Sequence, residues 1–196
     1  MRGSQIAPKE LEDFKTNEET SNIYLSISDV NDGLIDFQNI QNYLTEIPKN
    51  QEKFLIKNED ILLSKYGIAP YKFAVASITE REKVIASGNL IIIEVDEKKI
   101  DPYYLAALFS SKKGIKILKE AYSIKAKDKE NATLSIKKLK ELRIPIPSQE
   151  ICIEIACEYE RILNRIKNKD NILLTLQMKN IRKATIAMVG IYIDKI

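Results

Sequence analysis

The segment Leu142-Arg143-Ile144-Pro145-Ile146-Pro147 runs straight into Ser148-Gln149-Glu150 and a long stretch with helical periodicity. Two prolines one residue apart lock an extended strand, because each fixes its own φ and turns the preceding residue away from helix. A body closed in this way and continued by a helix is built to hold something at a set distance. Along that helix Ile155, Tyr159, Ile162, Ile166, Leu173 and Leu176 follow steps of 4, 3, 4, 7 and 3, an a/d seam that Lys169 interrupts once. An isolated helix cannot bury such a stripe, so it packs on its own body or on a partner. The seam exceeds two heptads and leaves the body behind, which favours a partner helix. The last stretch, residues 184–196, is apolar and is expected to dock on another surface.

This predicts an α+β chain of one domain plus an appendage: a mixed-sheet domain over 1–147 and a long coiled-coil-type helix over 148–196. The hydrophobic share of 44% suffices for a core. No apolar run approaches the roughly 20 residues of a membrane span, and no signal peptide opens the chain. Met1-Arg2-Gly3-Ser4 has the look of an expression leader. Cys152 and Cys157 lie five apart, on different faces of the expected helix, a poor geometry for a disulfide. A reducing cytoplasm fits them better.

Chemistry is limited by what is missing. With no histidine, the commonest general base and transition-metal ligand is absent. Two isolated cysteines do not make a zinc site. Neither a GxxxxGK[ST] loop nor a GxGxxG fingerprint occurs among the six glycines, so no phosphate cradle is visible. Catalysis would have to rest on carboxylates and lysines.

The net charge of +3 conceals a division. Residues 1–111 hold 12 Lys/Arg against 18 Asp/Glu, residues 112–143 hold 11 against 4, and residues 144–196 hold 8 against 6. A segment of net +7 is an electrostatic footprint for a polyanion, since lysines near phosphates release condensed counterions. A solvated helix face is the competing reading.

Element signals fill in the body. Asn22 to Ser28 alternates as a half-buried strand does, and Asn31-Asp32-Gly33 turns it into a returning strand, Leu34 to Phe37. Further strands are expected over residues 60–64, 73–77 and 89–95, the last apolar enough to be central. Asp101-Pro102 caps and starts a helix through Phe109. A second helix follows from Gly114 to Ala121 with Ile115, Leu118 and Ala121 inward, and Ser135 caps a third over residues 136–142.

Two stretches imitate catalytic motifs. Asp101-Pro102-Tyr103-Tyr104 is close to the [DN]PP[YF] motif of amino-methyltransferases, but it lacks the second proline and any cofactor-binding glycine motif, and a helix cap explains it. Ile91-Ile92-Ile93-Glu94-Val95-Asp96 resembles the strand of restriction-type nucleases ending in Glu-x-Lys, with Asp96 reversing the charge of the lysine. A metal-dependent nuclease using Asp60, Glu94 and Lys98 stays an alternative, as does a non-DNA scaffold whose helix recruits a protein.

Taken in order, the signals resemble a target-recognition domain of type I restriction-modification specificity subunits, or of the related type II methylase–specificity proteins. The residues that carry this are Arg2-Gly3-Ser4-Gln5-Ile6 at the opening and Tyr24 to Val30 with Gly33-Leu34-Ile35 as the early hairpin. Asn58-Glu59-Asp60-Ile61-Leu62-Leu63-Ser64 is similar to the "GDIL-S" strand, with Glu59 where the family has glycine. Tyr103-Tyr104-Leu105 with Ser110 to Gly114 resembles the helix pair, and Leu139 to Pro147 the "L-IPIP" closure. This opening motif weakens the leader reading of residues 2–4.

The resemblance implies a non-catalytic reader of duplex DNA. A full subunit of that family carries two recognition domains separated by two long helices, so this chain resembles half of one. Two copies would then pair through the Ile155–Leu176 seam and present two readers. Cofactors are expected only on partners: S-adenosylmethionine on adenine methyltransferase subunits, ATP and magnesium on a translocase/nuclease subunit. For DNA contacts the first candidates are Lys65, Tyr66, Tyr71 and Lys72, in a loop that follows a buried strand. Next come Lys112, Lys113, Lys125, Lys127 and Lys129, assigned to the phosphate backbone, where they position the domain without reading sequence.

Overall fold

The computed structural model describes residues 1–4, 6–31, 33–125 and 128–167, with the backbone alone at residues 8, 124, 125 and 128–131. The elements are α1 (Pro8–Phe14), β1 (Lys15–Thr16), β2 (Asn22–Leu25), β3 (Val30–Asn31), β4 (Leu34–Ile35), β5 (Tyr43–Leu44), β6 (Ile61–Ser64), β7 (Tyr66–Gly67), β8 (Phe73–Val75), β9 (Lys83–Ala86) and β10 (Leu90–Ile93). There follow α2 (Pro102–Ser110), α3 (Lys112–Ala121), β11 (Tyr122–Lys125), β12 (Asp128–Leu134), α4 (Ile136–Glu141) and α5 (Gln149–Lys167). Short 3-10 turns stand at Phe37–Asn39 and Lys49–Phe54. This is a mixed α+β fold of several small sheets with a long helix after them. The chain divides into two compact units, Met1–Tyr66 with Lys72–Glu94, and Gly67–Tyr71 with Val95–Ile196.

In the first unit β2 alternates as its sequence requires, Ile23 and Leu25 buried and Asn22 and Tyr24 half-buried. It pairs antiparallel with β5 and parallel with β9, giving the order β1-β5-β2-β9. A second sheet runs β10-β6-β8, antiparallel throughout. Its central strand is therefore β6, all four residues of which are buried, and not β10 as its composition suggests. β10 reads as central because its outer edge is covered. Gly3 N–H donates to the Leu90 carbonyl at 3.0 Å, Ile92 N–H donates to the Met1 carbonyl at 2.6 Å, and Arg2 bridges Ile91.

These first residues are part of the core. A Cβ on Gly3 would stand 2.2 Å from the Ser87 carbonyl oxygen, and buried Ser4 donates its hydroxyl to Gln51 Oε1 at 2.6 Å. Arg2, Gly3 and Ser4 are thereby packed into the first unit. Asp29 holds the turn after β2: its Oδ2 accepts from both the backbone N–H and the hydroxyl of Ser26, each at 2.7 Å. Leu25, Val30, Leu62, Ala74, Ala86 and Leu90 are fully buried members of one hydrophobic cluster.

Among its described residues the second unit is mostly helical. Asp101 Oδ1 accepts from Tyr103 and Tyr104 N–H at 2.7 and 3.2 Å, with Pro102 at the first helical position, so the motif is a helix cap. Ser111 caps α3 by accepting from Gly114 N–H at 2.9 Å. α3 therefore starts two residues before the expected Gly114, and it buries Gly114, Leu118 and Ala121, with Ile115 half-buried. β11 and β12 form an antiparallel pair that sequence patterning did not reveal, and β7 is the third strand of their sheet.

Two tyrosine hydroxyls fix the frame. Fully buried Tyr104 donates to the Pro145 carbonyl at 2.7 Å, which holds the proline closure onto α2. Tyr159 of α5 shares a 2.8 Å hydrogen bond with Ser110, the last residue of α2. Burial, and for Tyr104 also nearby Cys152, pushes both phenols up to about 12. α5 packs along α2, burying Cys152, Ile155, Ala156, Tyr159, Ile162 and Leu163.

Candidate nucleic-acid interface

The charge division follows the two units. The first holds 10 Lys/Arg against 15 Asp/Glu, a net of −5; the second holds 21 against 13, a net of +8. Within the second, α3 turns its apolar residues inward and exposes Lys112, Lys116 and Lys119. α4 packs on α3 and exposes Lys137, Lys138 and Lys140, with Arg143 exposed just beyond. Lys138 Nζ donates to Ser123 Oγ at 3.0 Å, which ties the basic helix to β11.

The residue before Ser123 anchors a loop. Tyr122 stacks on Tyr71, ring centroids 3.7 Å apart and planes 7° from parallel. Tyr71 is only 7% exposed, and burial raises its hydroxyl pKa. Gly67–Tyr71 thereby belongs to the basic unit although strands of the other unit flank it in sequence. Its tip, Ile68-Ala69-Pro70, is exposed, and Ile68 at 65% is the most exposed of the large hydrophobic side chains among the described residues. The loop closes at its base, where Ser64 N–H donates to the Lys72 carbonyl at 2.8 Å.

Placed in this structure, the expected DNA contacts separate. Lys72 and Tyr66 are exposed, and Lys65 holds its ammonium 4.8 Å over the Tyr66 ring. Tyr71 is buried, with its ring packed on Tyr122. Lys112 is exposed in the first turn of α3, whereas Lys113 is half-buried and engaged. The side chains of Lys125 and Lys129, on β11 and β12, and the whole of Lys127 lie outside the described residues. Sequence reasoning did not single out the exposed Ile68 or the Lys138–Ser123 contact; an isoleucine between Gly67 and Pro70, outside any alternating run, was the available signal for the first, whereas the second depends on an unrecognised strand.

Of the expected helix–helix seam, Ile155, Tyr159 and Ile162 are buried, on a helix that packs along α2 of the same chain. Ile166 is half-buried, and Leu173 and Leu176 fall outside the described residues, as do residues 184–196.

The nuclease trio finds other occupations. Asp60 is buried, a position that raises its pKa, and its Oδ2 accepts from Lys57 N–H at 2.9 Å. Exposed Glu94 pairs with Lys57 Nζ at 2.6 Å, and this hydrogen bond and charge lower its pKa. Lys98 is exposed, its backbone N–H donating to Asp96. Among the described residues no cluster of three or more His, Cys, Asp or Glu could hold a metal. No described helix is long and apolar enough to cross a membrane. Cys152, buried, and Cys157, exposed, are both free.

The described residues thus form a mixed α+β body with a basic, largely helical unit that ends in a long helix. The chain belongs to the type I restriction modification DNA specificity domain family, whose model matches residues 5–189. That family is one of specificity domains, not catalytic ones. The fold is similar to the HsdS subunit from Thermoanaerobacter tengcongensis, with a TM-score of 0.52 and 17% identity over 74% of this chain and 36% of that one. It is also similar to a chain from a structure addressing complex assembly and conformational transition of the type I R-M system, with a TM-score of 0.54 and 14% identity over 97% of this chain and 42% of the other. The chain thus spans well under two thirds of either. No curated protein matches it by sequence.

Proposed function

We propose that this chain recognises a sequence in double-stranded DNA and directs partner subunits of a type I restriction-modification system to it. The carrying observation is the coincidence of the family with the charge division: the specificity domain's basic residues collect in one unit, net +8, which also owns the exposed loop tip. Lys112, with Lys116, Lys119, Lys138 and Lys140 beside it in the same unit, contacts phosphates and sets register. The Lys65–Lys72 loop supplies contacts nearer the bases. Adenine methyltransferase subunits then carry S-adenosylmethionine, and a translocase/nuclease subunit carries ATP and magnesium, in a reducing cytoplasm that suits two free cysteines.

The share of the solved chains that is covered, 36% and 42%, supports one reader of a pair. The second reader comes from a second copy or from the rest of a longer protein. In the first case the pairing surface is the stripe past Leu163, from Ile166 through Leu173 and Leu176, and a particle of twice 22.4 kDa is expected by light scattering.

The direct test is binding of the full chain to duplexes of random sequence, followed by fluorescence anisotropy over a range of salt. The logarithm of affinity should fall linearly with the logarithm of salt concentration. A flat line, or no binding with and without methyltransferase, overturns the reading.

A further inference from the structure

The most exposed large apolar side chain among the described residues stands at the tip of a tethered loop, where contact with a partner would bury it. Ile68 is in that position. It is 65% exposed, its two neighbours Ala69 and Pro70 are exposed as well, and no acidic residue occurs anywhere between Asp60 and Glu80. The loop is not a loose strand end. Its last residue, Tyr71, is stacked on Tyr122, and the next residue, Ser123, accepts from Lys138 of the basic helix. Tip, anchor and lysine are thus successive links within one unit of net +8.

Phosphates cannot use an isoleucine. On the edge of a base pair in the major groove, the apolar group on offer is the 5-methyl of thymine. We propose that Ile68 is a specificity-determining residue that packs on a thymine methyl, while Lys138 and the α3 lysines engage the backbone around it. The net charge of +8 on the unit that owns the tip favours duplex DNA as the occupant; a second protein would have to present a strongly acidic surface to the same unit. This inference rests on the DNA-recognition reading above and assigns a base contact that the reading alone leaves open.

The experiment uses the full chain and the duplex it enriches from a random-sequence pool, with each thymine replaced in turn by uracil. Wild type should lose about fourfold in affinity at one position, the worth of one buried methyl. Ile68→Ala should bind the thymine and uracil duplexes equally, with an unchanged salt slope and melting temperature, since its side chain is exposed. Lys138→Gln should do the reverse, lowering the salt slope by about 0.9 while keeping the thymine preference. Equal affinity of wild type for thymine and uracil at every position overturns the proposal, as does a thymine preference that survives in Ile68→Ala. If no duplex is enriched by wild type, the DNA-recognition reading itself falls, which separates the two failures.

Discussion

Single residues carry unusual weight where two helices or a strand and a tail come close. A Cβ on Gly114 would lie 1.8 Å from the Leu108 carbonyl oxygen and 2.5 Å from its carbon, both backbone atoms that cannot rotate away. Gly114→Ala should therefore force α3 off α2 and cost about 3 kcal/mol; an unchanged denaturation midpoint would contradict the contact. The tyrosine clamps give a pH signature. Unfolded tyrosines ionise near pH 10, whereas Tyr104 and Tyr159 keep their protons to about 12 in the fold. Their contribution is fully present below pH 10 and is lost as pH rises from about 10 through about 12. Thermal melts over that window should show a falling melting temperature, and Tyr159→Phe should flatten the fall, because phenylalanine has no proton to lose. A wild-type melting temperature that stays level from pH 9 to 12 would remove burial as the cause.

At the level of elements, the helix α5 shows how one pattern admits two partners. Spacing identified the stripe of Ile155, Tyr159 and Ile162, but spacing is the same for a seam facing another chain and one facing α2. What decides is distance in three dimensions, which the Tyr104–Pro145 and Ser110–Tyr159 hydrogen bonds set. The consequence is testable. Ile162→Glu buries an unpaired carboxylate and should destabilise the fold by roughly 4 kcal/mol, seen as a lowered chemical-denaturation midpoint. A stable, folded monomer from this variant would restore the intermolecular seam. Other elements were legible in proportion to their local signals. Asp101-Pro102 and Ser135 are caps whose chemistry is contained in four residues, and α2 and α4 start where those caps place them; the Ser111 cap went unread, and α3 starts two residues before the expected Gly114. The β11–β12 hairpin was silent, because Lys125 to Asn131 has neither alternation nor a turn dipeptide. Of the interface, exposed lysines could be anticipated from charge. Tyr71 could not be separated from Tyr66, because which ring turns inward depends on Tyr122, some 50 residues away in sequence.

For the whole molecule, the separation of charge between units predicts that DNA affinity is unevenly distributed along the chain. Lysines occur in both units, so a count of basic residues does not distinguish them; the acidic residues around them do. In the first unit Lys49, Lys53 and Lys83 are exposed within a net of −5, so a phosphate approaching them meets an excess of carboxylates. In the second, Lys112, Lys116 and Lys119 stand on one helix with no acidic residue between Asp101 and Glu120. Coulomb terms between exposed charges extend about 10 Å at ordinary salt, so the local sign counts for more than the chain's total of +3. Changing Lys49, Lys53 and Lys83 together to glutamine should leave the salt dependence of duplex binding where it was. The same change at Lys112, Lys116 and Lys119 should lower its slope by up to about 0.9 for each phosphate contact removed. Both variants lose three charges, so total charge alone demands equal effects. Equal slopes from the two triple variants would show that net charge, and not this division of the chain, governs the approach to DNA.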